Sequence, residues 1–355
     1  MNTHMSVHAL AERYLDELYE LSDAMRVRKE DETNFAAAMT GGQHLCLRGF
    51  WRIGKTTMMK AVLKAACERT GGAAFMLDLR DPTREDGMVA SIESVWARLT
   101  EKVTEFLKRV GATDAKVDPK NPLAVLGELA APIFVGIDEL IALHSVGEEK
   151  AREFLKALLT TPKNVKLALV CHRHRDLDVV FDTEVVLRPE VYSDFIRPVT
   201  DEELVHLIQT PAQAHGVVFS DEALGAIATL SGNRPVEVFT LCSIVASTLT
   251  PDFKGTITDE QVENLVTFDA VAEHEAGREL VDAYLRVLVT AMSPEERALM
   301  ELLAAGGEGE VPEVALQMLQ ATGYVTPGEG FMINGTLLEG LTRAVADGSI
   351  KVSVA

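Results

Sequence analysis

The segment Gly49-Phe50-Trp51-Arg52-Ile53-Gly54-Lys55-Thr56 narrows the possible folds of this chain more than any other stretch. It matches G-x-x-x-x-G-K-[ST] in full, after an apolar run that reads as a strand (HLCLRG) and before one that reads as a helix (TTMMKAVLKAACER). In a strand–loop–helix of this kind the glycines let the backbone curl until successive N–H groups face one point. The first turn of the helix adds its positive end there. The pattern predicts a polyphosphate cradle running from Gly49 to Thr57, with ATP as the expected nucleotide. Lys55 should reach the β- and γ-phosphates, and the Thr56 hydroxyl should serve Mg²⁺.

From 44 to 200 short apolar runs alternate with helical ones: AFMLDLR, MVASIESVWARLTEKVTEFLKRV, IFVGIDE and VKLALVC, with a last strand at either EVVLR or FIRPV. Apolar strands alternating with helices predict an α/β domain, a parallel sheet covered on both faces. Within it, Ile133-Phe134-Val135-Gly136-Ile137 runs into Asp138 and Glu139. An acidic pair at the end of a buried strand suits a metal-shell ligand, Asp138, and a group that polarises the attacking water, Glu139.

Polar residues also end the VKLALVC run, where His172 is a candidate γ-phosphate contact. Cys171, His172 and His174 resemble a fragment of a metal site, but no second Cys/His cluster completes one. Arg173, Arg175 and Arg188 are candidates for an arginine that serves a neighbouring subunit's site. Further on, Gly232-Asn233-Arg234-Pro235 reads in two ways. Arg234 folds onto bound phosphates, or the segment is a helix-start turn with proline in the first helical position.

Helical spacing over residues 8–30 predicts an N-terminal helix (domain 1–35) packed on the core at 36–200. After Pro198 the β signal nearly vanishes, and helices expected at 201–215, 220–230 and 234–248 make an all-helical lid over 201–270. The order helix, helix, hairpin, helix in the remaining 271–355 predicts a winged-helix-like unit.

No long apolar run suggests a membrane segment or leader, so the expected compartment is cytoplasmic. Cys46, Cys67, Cys171 and Cys242 have no metal-knuckle or disulfide-framework spacing. The net charge of −20 opposes unaided binding to DNA. The stretch 291–355 carries three basic residues against nine acidic ones, which makes its winged-helix-like unit a poor DNA reader.

The ordered motifs resemble those of AAA+-related ATPases of the STAND type, in particular the archaeal-type ATPase branch. GFWRIGKTT is similar to that branch's loop G-P-R-R-x-G-K-T-S, keeping Gly49, Arg52, Gly54, Lys55 and Thr56 and departing at Phe50 and Trp51. IFVGIDEL resembles its Walker B strand, FIRPVTDEEL its entry to the lid, and LSGNRPVEVFTLC its motif L-[ST]-G-G-x-P. Asn233-Arg234 also resembles the G-D-x-R sensor of replication-initiator ATPases.

The resemblance implies an ATPase cycling between ATP and ADP, in which nucleotide state drives domain rearrangement and engagement of a protein partner or self-assembly. The alternative is a DNA-associated loader. A small-molecule kinase is disfavoured by Glu139 and by the long lid and tail.

Overall fold

The computed structural model describes residues 27–347 apart from 50–52, 82, 85–86, 173–179, 251–252, 266–270, 272, 308, 310 and 329. The expected helix over 8–30 therefore lies almost wholly outside the described residues. Two compact units are present. Of the described residues, one comprises 28–48 and 55–194, and the other runs from 195 onward with Val27, Gly49, Ile53 and Gly54.

In the first unit, α1 (Lys29–Thr40) packs along α2 (Lys55–Thr70), and between them in sequence runs β1 (His44–Gly49). β2 (Ala73–Asp78) follows, then α3 (Ile92–Arg109), β3 (Ile133–Asp138), α4 (Glu148–Leu158), β4 (Val165–His172) and β5 (Val191–Phe195). The strands form one sheet in the order β2-β3-β4-β1-β5, and the β2–β3 and β3–β4 pairs are parallel. Every residue of β3 is buried, as a central strand covered on both faces requires.

α3 starts where the sequence offers a reciprocal cap. The Ser91 hydroxyl accepts from the Ser94 amide at 3.2 Å, and Ser94 Oγ accepts from the Ser91 amide. His44, buried and pushed down to about 4 chiefly by burial, stays neutral. Its Nδ1 accepts the Leu167 amide at 3.0 Å, fastening the start of β1 to β4.

The close approach of α2 to the sheet depends on one glycine. A Cβ at Gly136 would stand 2.9 Å from both Leu63 Cδ1 and Met76 Cγ, and 3.1 Å from Met59 Sδ. The missing side chain in the middle of β3 lets α2 lie directly on the strand that ends in Asp138. That contact fixes where the first turn of α2 meets the carboxylates.

The last strand differs from both sequence alternatives. It occupies VYSDF, after EVVLR and sharing only Phe195 with FIRPV. Asp182–Val186 is wound instead into a π-type turn, with Arg48 on Asp182 at 2.8 Å and Arg152 on Glu184 at 2.7 Å. Pro198, with no N–H to donate, cannot carry a ladder onward.

The second unit begins with α5 (Asp201–Ala214), capped by Thr200 and Glu203. β6 (Val217–Phe219), α6 (Asp221–Ser231) and α7 (Pro235–Ser247) follow, then β7 (Gly255–Ile257), α8 (Asp259–Leu265) and α9 (Glu275–Arg286). β6 and β7 pair in parallel. This small pairing escaped the sequence reading because three-residue strands are too short to show a period. The unit closes with α10 (Pro294–Ala304), α11 (Glu313–Ala321), the hairpin β8 (Val325–Gly328) and β9 (Gly330–Ile333), and α12 (Thr336–Ala346). That is the expected winged-helix-like order. Each unit buries its own apolar core, and no helix among the described residues is long and apolar enough to cross a membrane.

Candidate functional site

In the loop that opens α2, φ is 145° at Gly49 and 97° at Gly54. Both values are strained for any residue with a Cβ. Ile53 is buried beside them. Phe50, Trp51 and Arg52 lie outside the described residues.

Lys55, Thr56 and Thr57 form the first turn of α2, with Lys55 only 3% exposed and the two threonines half-buried. Burial pulls the Lys55 ammonium down to about 7, against the opposing pull of Glu139 and Asp138. An ammonium desolvated to this degree is stabilised by an incoming polyanion more than a solvated one would be.

Asp138 ends β3 at 4% exposure. Burial raises its carboxyl above the usual range, while hydrogen bonds from the Thr56 hydroxyl and the Glu139 amide, the latter at 2.8 Å, hold it down. Asp138 is thus linked directly to the threonine expected to share a metal with it. Parallel register sets Asp138 beside Asp78 at the end of β2. A cleft of about 660 Å³ lined in part by Thr56, Lys60, Arg80 and Asp138 opens there.

Glu139 has left the strand for a left-handed backbone at φ 57° and ψ 44°. This conformation is rare for a residue other than glycine, asparagine or aspartate, and it aims the carboxylate away from the course of β3. Glu139 Oε2 lies 3.1 Å from His172 Nε2, and Oε1 lies 3.8 Å from Arg80 Nη1. Although burial acts to raise it, the contacts with His172, Arg80 and Lys55 leave the Glu139 carboxyl below its ordinary value. Burial foremost, with Lys55 adding to it, lowers His172, so its imidazole is neutral near pH 7. Neighbouring acids with opposite shifts are the usual sign of divided roles, and Glu139 is the one whose ionised form its neighbours favour.

The structure brings Lys55, Thr56, Asp138, Glu139 and His172 into one group within the first unit. Arg80 joins them without any mark in the sequence. It follows β2, grips Asp78 through Nε at 3.0 Å and Nη2 at 2.5 Å, and faces Glu139 only because β2 and β3 are in register.

Of the arginines considered for a neighbouring subunit, Arg173 and Arg175 lie outside the described residues. Arg188 donates from Nε to the Glu184 carbonyl at 2.6 Å and stands 3.4 Å from Glu190.

Arg234 lies in the second unit, 3% exposed, as the residue before α7, with Pro235 in its first turn. It pairs with Glu237, donates to Tyr284 Oη at 2.9 and 3.1 Å and to the Asn334 carbonyl at 2.6 Å, and lies over the rings of Tyr284 and Tyr324. Asn334 completes the clasp by donating to the carbonyls of Gly232 and Gly323, each at 3.0 Å. The helix-start turn is therefore present, and the guanidinium has partners on three other segments.

Glu237 is fully buried, and burial pushes its carboxyl up to about 7 in spite of Arg234. Arg234→Ala should lower unfolding stability by about 3–5 kcal/mol, since it strands that carboxyl without its cation. Converting both residues to methionine should recover most of the loss. Urea denaturation of the three proteins reads this directly, and a loss under about 1 kcal/mol for the single variant would show the pair to be dispensable.

Of the four cysteines, Cys46, Cys67 and Cys171 are buried and Cys242 is half-buried. Cys46 and Cys171 touch, Sγ to Sγ 3.4 Å, inside the sheet.

No protein-family model and no curated protein matches this chain. Among solved structures it is similar to the Aeropyrum pernix Orc1 protein in complex with DNA, at 14% identity and a TM-score of 0.46, over 96% of this chain and 97% of that one. It is also similar to the Thermotoga maritima RuvB Holliday junction branch migration motor, at 17% identity and a TM-score of 0.47, over 94% and 98%. A further similarity is to Hsp104 in its closed state with ATPγS and casein, at 15% identity and a TM-score of 0.46, over 90% of this chain and 52% of that one. The chain's own strand order, with the glycine loop between β1 and α2 and the acids at the tip of β3, makes its fold an α/β P-loop fold.

Proposed function

We propose that this protein is an ATP-binding and ATP-hydrolysing regulatory switch of the AAA+/STAND type, which couples nucleotide state to domain rearrangement and to a protein partner or self-assembly. The observation that carries the reading is the buried Lys55 ammonium facing Asp138 and Glu139.

The donor set suits Mg²⁺ with a nucleoside triphosphate: a hydroxyl and a carboxylate already hydrogen-bonded to each other, preceded in the chain by a glycine loop whose positive φ values a side chain would oppose. Thr56 and Asp138 would hold the ion, which when bound neutralises charge on the phosphates. Lys55 grips the β- and γ-phosphates. Glu139, ionised, orients the attacking water. A carboxylate held below its ordinary value is a weak base, so positioning is its larger contribution. His172 and Arg80 hold Glu139 until nucleotide arrives.

Residues 201–270 would act as the lid and 271–355 as the module that reports nucleotide state. Within 271–355, α11 begins with Glu313 and the exposed Val314, and β9 exposes Phe331 and Met332. Acidic and apolar surface suits a protein contact better than a phosphate backbone.

Phosphate release from ATP·Mg²⁺, measured with and without duplex DNA at near-physiological salt, tests the reading together with light scattering with and without a non-hydrolysable ATP analogue. We expect turnover indifferent to DNA and a mass or shape that responds to the analogue. Stimulation by DNA would favour the DNA-associated reading instead, and absence of any turnover would remove the enzyme.

A further inference from the structure

Asp138, Glu139 and His172 are all buried, and one donor atom from each lies within 4.8 Å of the others. We propose that, with no nucleotide bound, these three residues hold a single transition-metal ion of the zinc, cobalt or manganese class, at a site different in chemistry from the Mg²⁺ site of Thr56 and Asp138.

The spacing carries the argument. Glu139 Oε2 and His172 Nε2 are 3.1 Å apart. An ion at typical bond lengths of about 2.1 Å from both would be held at an angle of about 95°, close to that of a six-coordinate ion and about 15° short of that of a tetrahedral one. Two carboxylate oxygens and one imidazole nitrogen form a mixed donor set. Magnesium and calcium take oxygen almost exclusively, whereas zinc, cobalt and manganese accept nitrogen.

The backbone supports the same direction. The left-handed turn at Glu139 carries its carboxylate toward the end of β4, where His172 is the last residue. Two adjacent acids on a strand tip would ordinarily diverge into solvent, yet here both are buried against an imidazole. Lys55 faces the group from α2 and Arg80 from the segment after β2, so a bound ion must compete with these two cations for the carboxylates.

An ion there would occupy the Glu139 oxygen that faces His172 and keep that carboxylate from a water molecule. The resting protein would thereby be held inactive until nucleotide and Mg²⁺ displace the ion. This consequence for turnover rests on the proposed role of Glu139, whereas binding of the ion does not.

The test uses the full chain without nucleotide. Isothermal titration with Zn²⁺ and visible absorption during titration with Co²⁺ should each report one ion per chain bound at the site. His172→Ala and Asp138→Asn should each weaken that ion at least about tenfold, no less than the loss of an outer-shell partner typically does. Circular dichroism and thermal unfolding should show both variants folded. Unchanged binding in His172→Ala would overturn the proposal, by locating the ion on carboxylates alone or on other histidines, as would the absence of binding in the parent protein. Because no nucleotide is present, a protein inert toward ATP can still pass or fail this test, and the two readings fail separately.

Discussion

Lys55→Ala should abolish measurable ATP binding, with a loss of affinity of at least about a hundredfold, equivalent to about 2.7 kcal/mol. The expectation follows from where the ammonium sits. Most surface lysines contribute little because water solvates them equally well with or without a ligand. Lys55 is buried and pulled down to about 7 by desolvation, so in the free protein its charge is held at a disadvantage that a polyphosphate removes. The same reasoning predicts that Lys55→Ala is no less stable than the parent when nothing is bound. Fluorescent-nucleotide titration and thermal unfolding, run on one preparation, separate a missing contact from a damaged fold. A variant that binds ATP as tightly as the parent would mean that the glycine loop is a structural turn.

Glu139→Gln should leave ATP affinity within about threefold and reduce turnover by about 10²–10⁴-fold, the usual contribution of a positioned acid–base group. Glutamine keeps the shape and can still contact Arg80 and His172, but it offers a water molecule no anionic acceptor. The left-handed backbone at Glu139 serves the same end, because it aims the side chain independently of what the carboxyl touches. Single-turnover phosphate release beside equilibrium binding measures both quantities. Retention of more than about a tenth of the rate would transfer the role to another group.

The parts of this site visible in the sequence are those whose meaning is local. Gly49 to Thr56 is a contiguous pattern between a strand and a helix, and Asp138 and Glu139 end an unbroken apolar run. His172 could be placed at a strand tip by the same logic. Arg80 could not, because its approach to Glu139 depends on Asp78 lying beside Asp138, a fact of strand register rather than of spacing along the chain. The last strand of the sheet was misplaced for a related reason. EVVLR has the composition of a strand, but Arg48 and Arg152 engage acids within the turn that replaces it. The segment around Arg234 announced a turn through Gly232 and Pro235. Tyr284, Tyr324 and Asn334, brought to it by folding, left no trace nearby.

The clasp at Asn334 has a consequence for synthesis on the ribosome. Arg234 meets its carbonyl partner 100 residues later in the chain, and Gly232 its amide partner 102 residues later. The nascent polypeptide can complete the β-sheet core once the strand ending at Phe195 has emerged, whereas the turn before α7 must wait until Asn334 has been translated. A message cut short just upstream of Asn334 would release a chain with a finished core and an Arg234–Glu237 pair lacking its outer brace, and such a fragment is a ready substrate for chaperones and proteases.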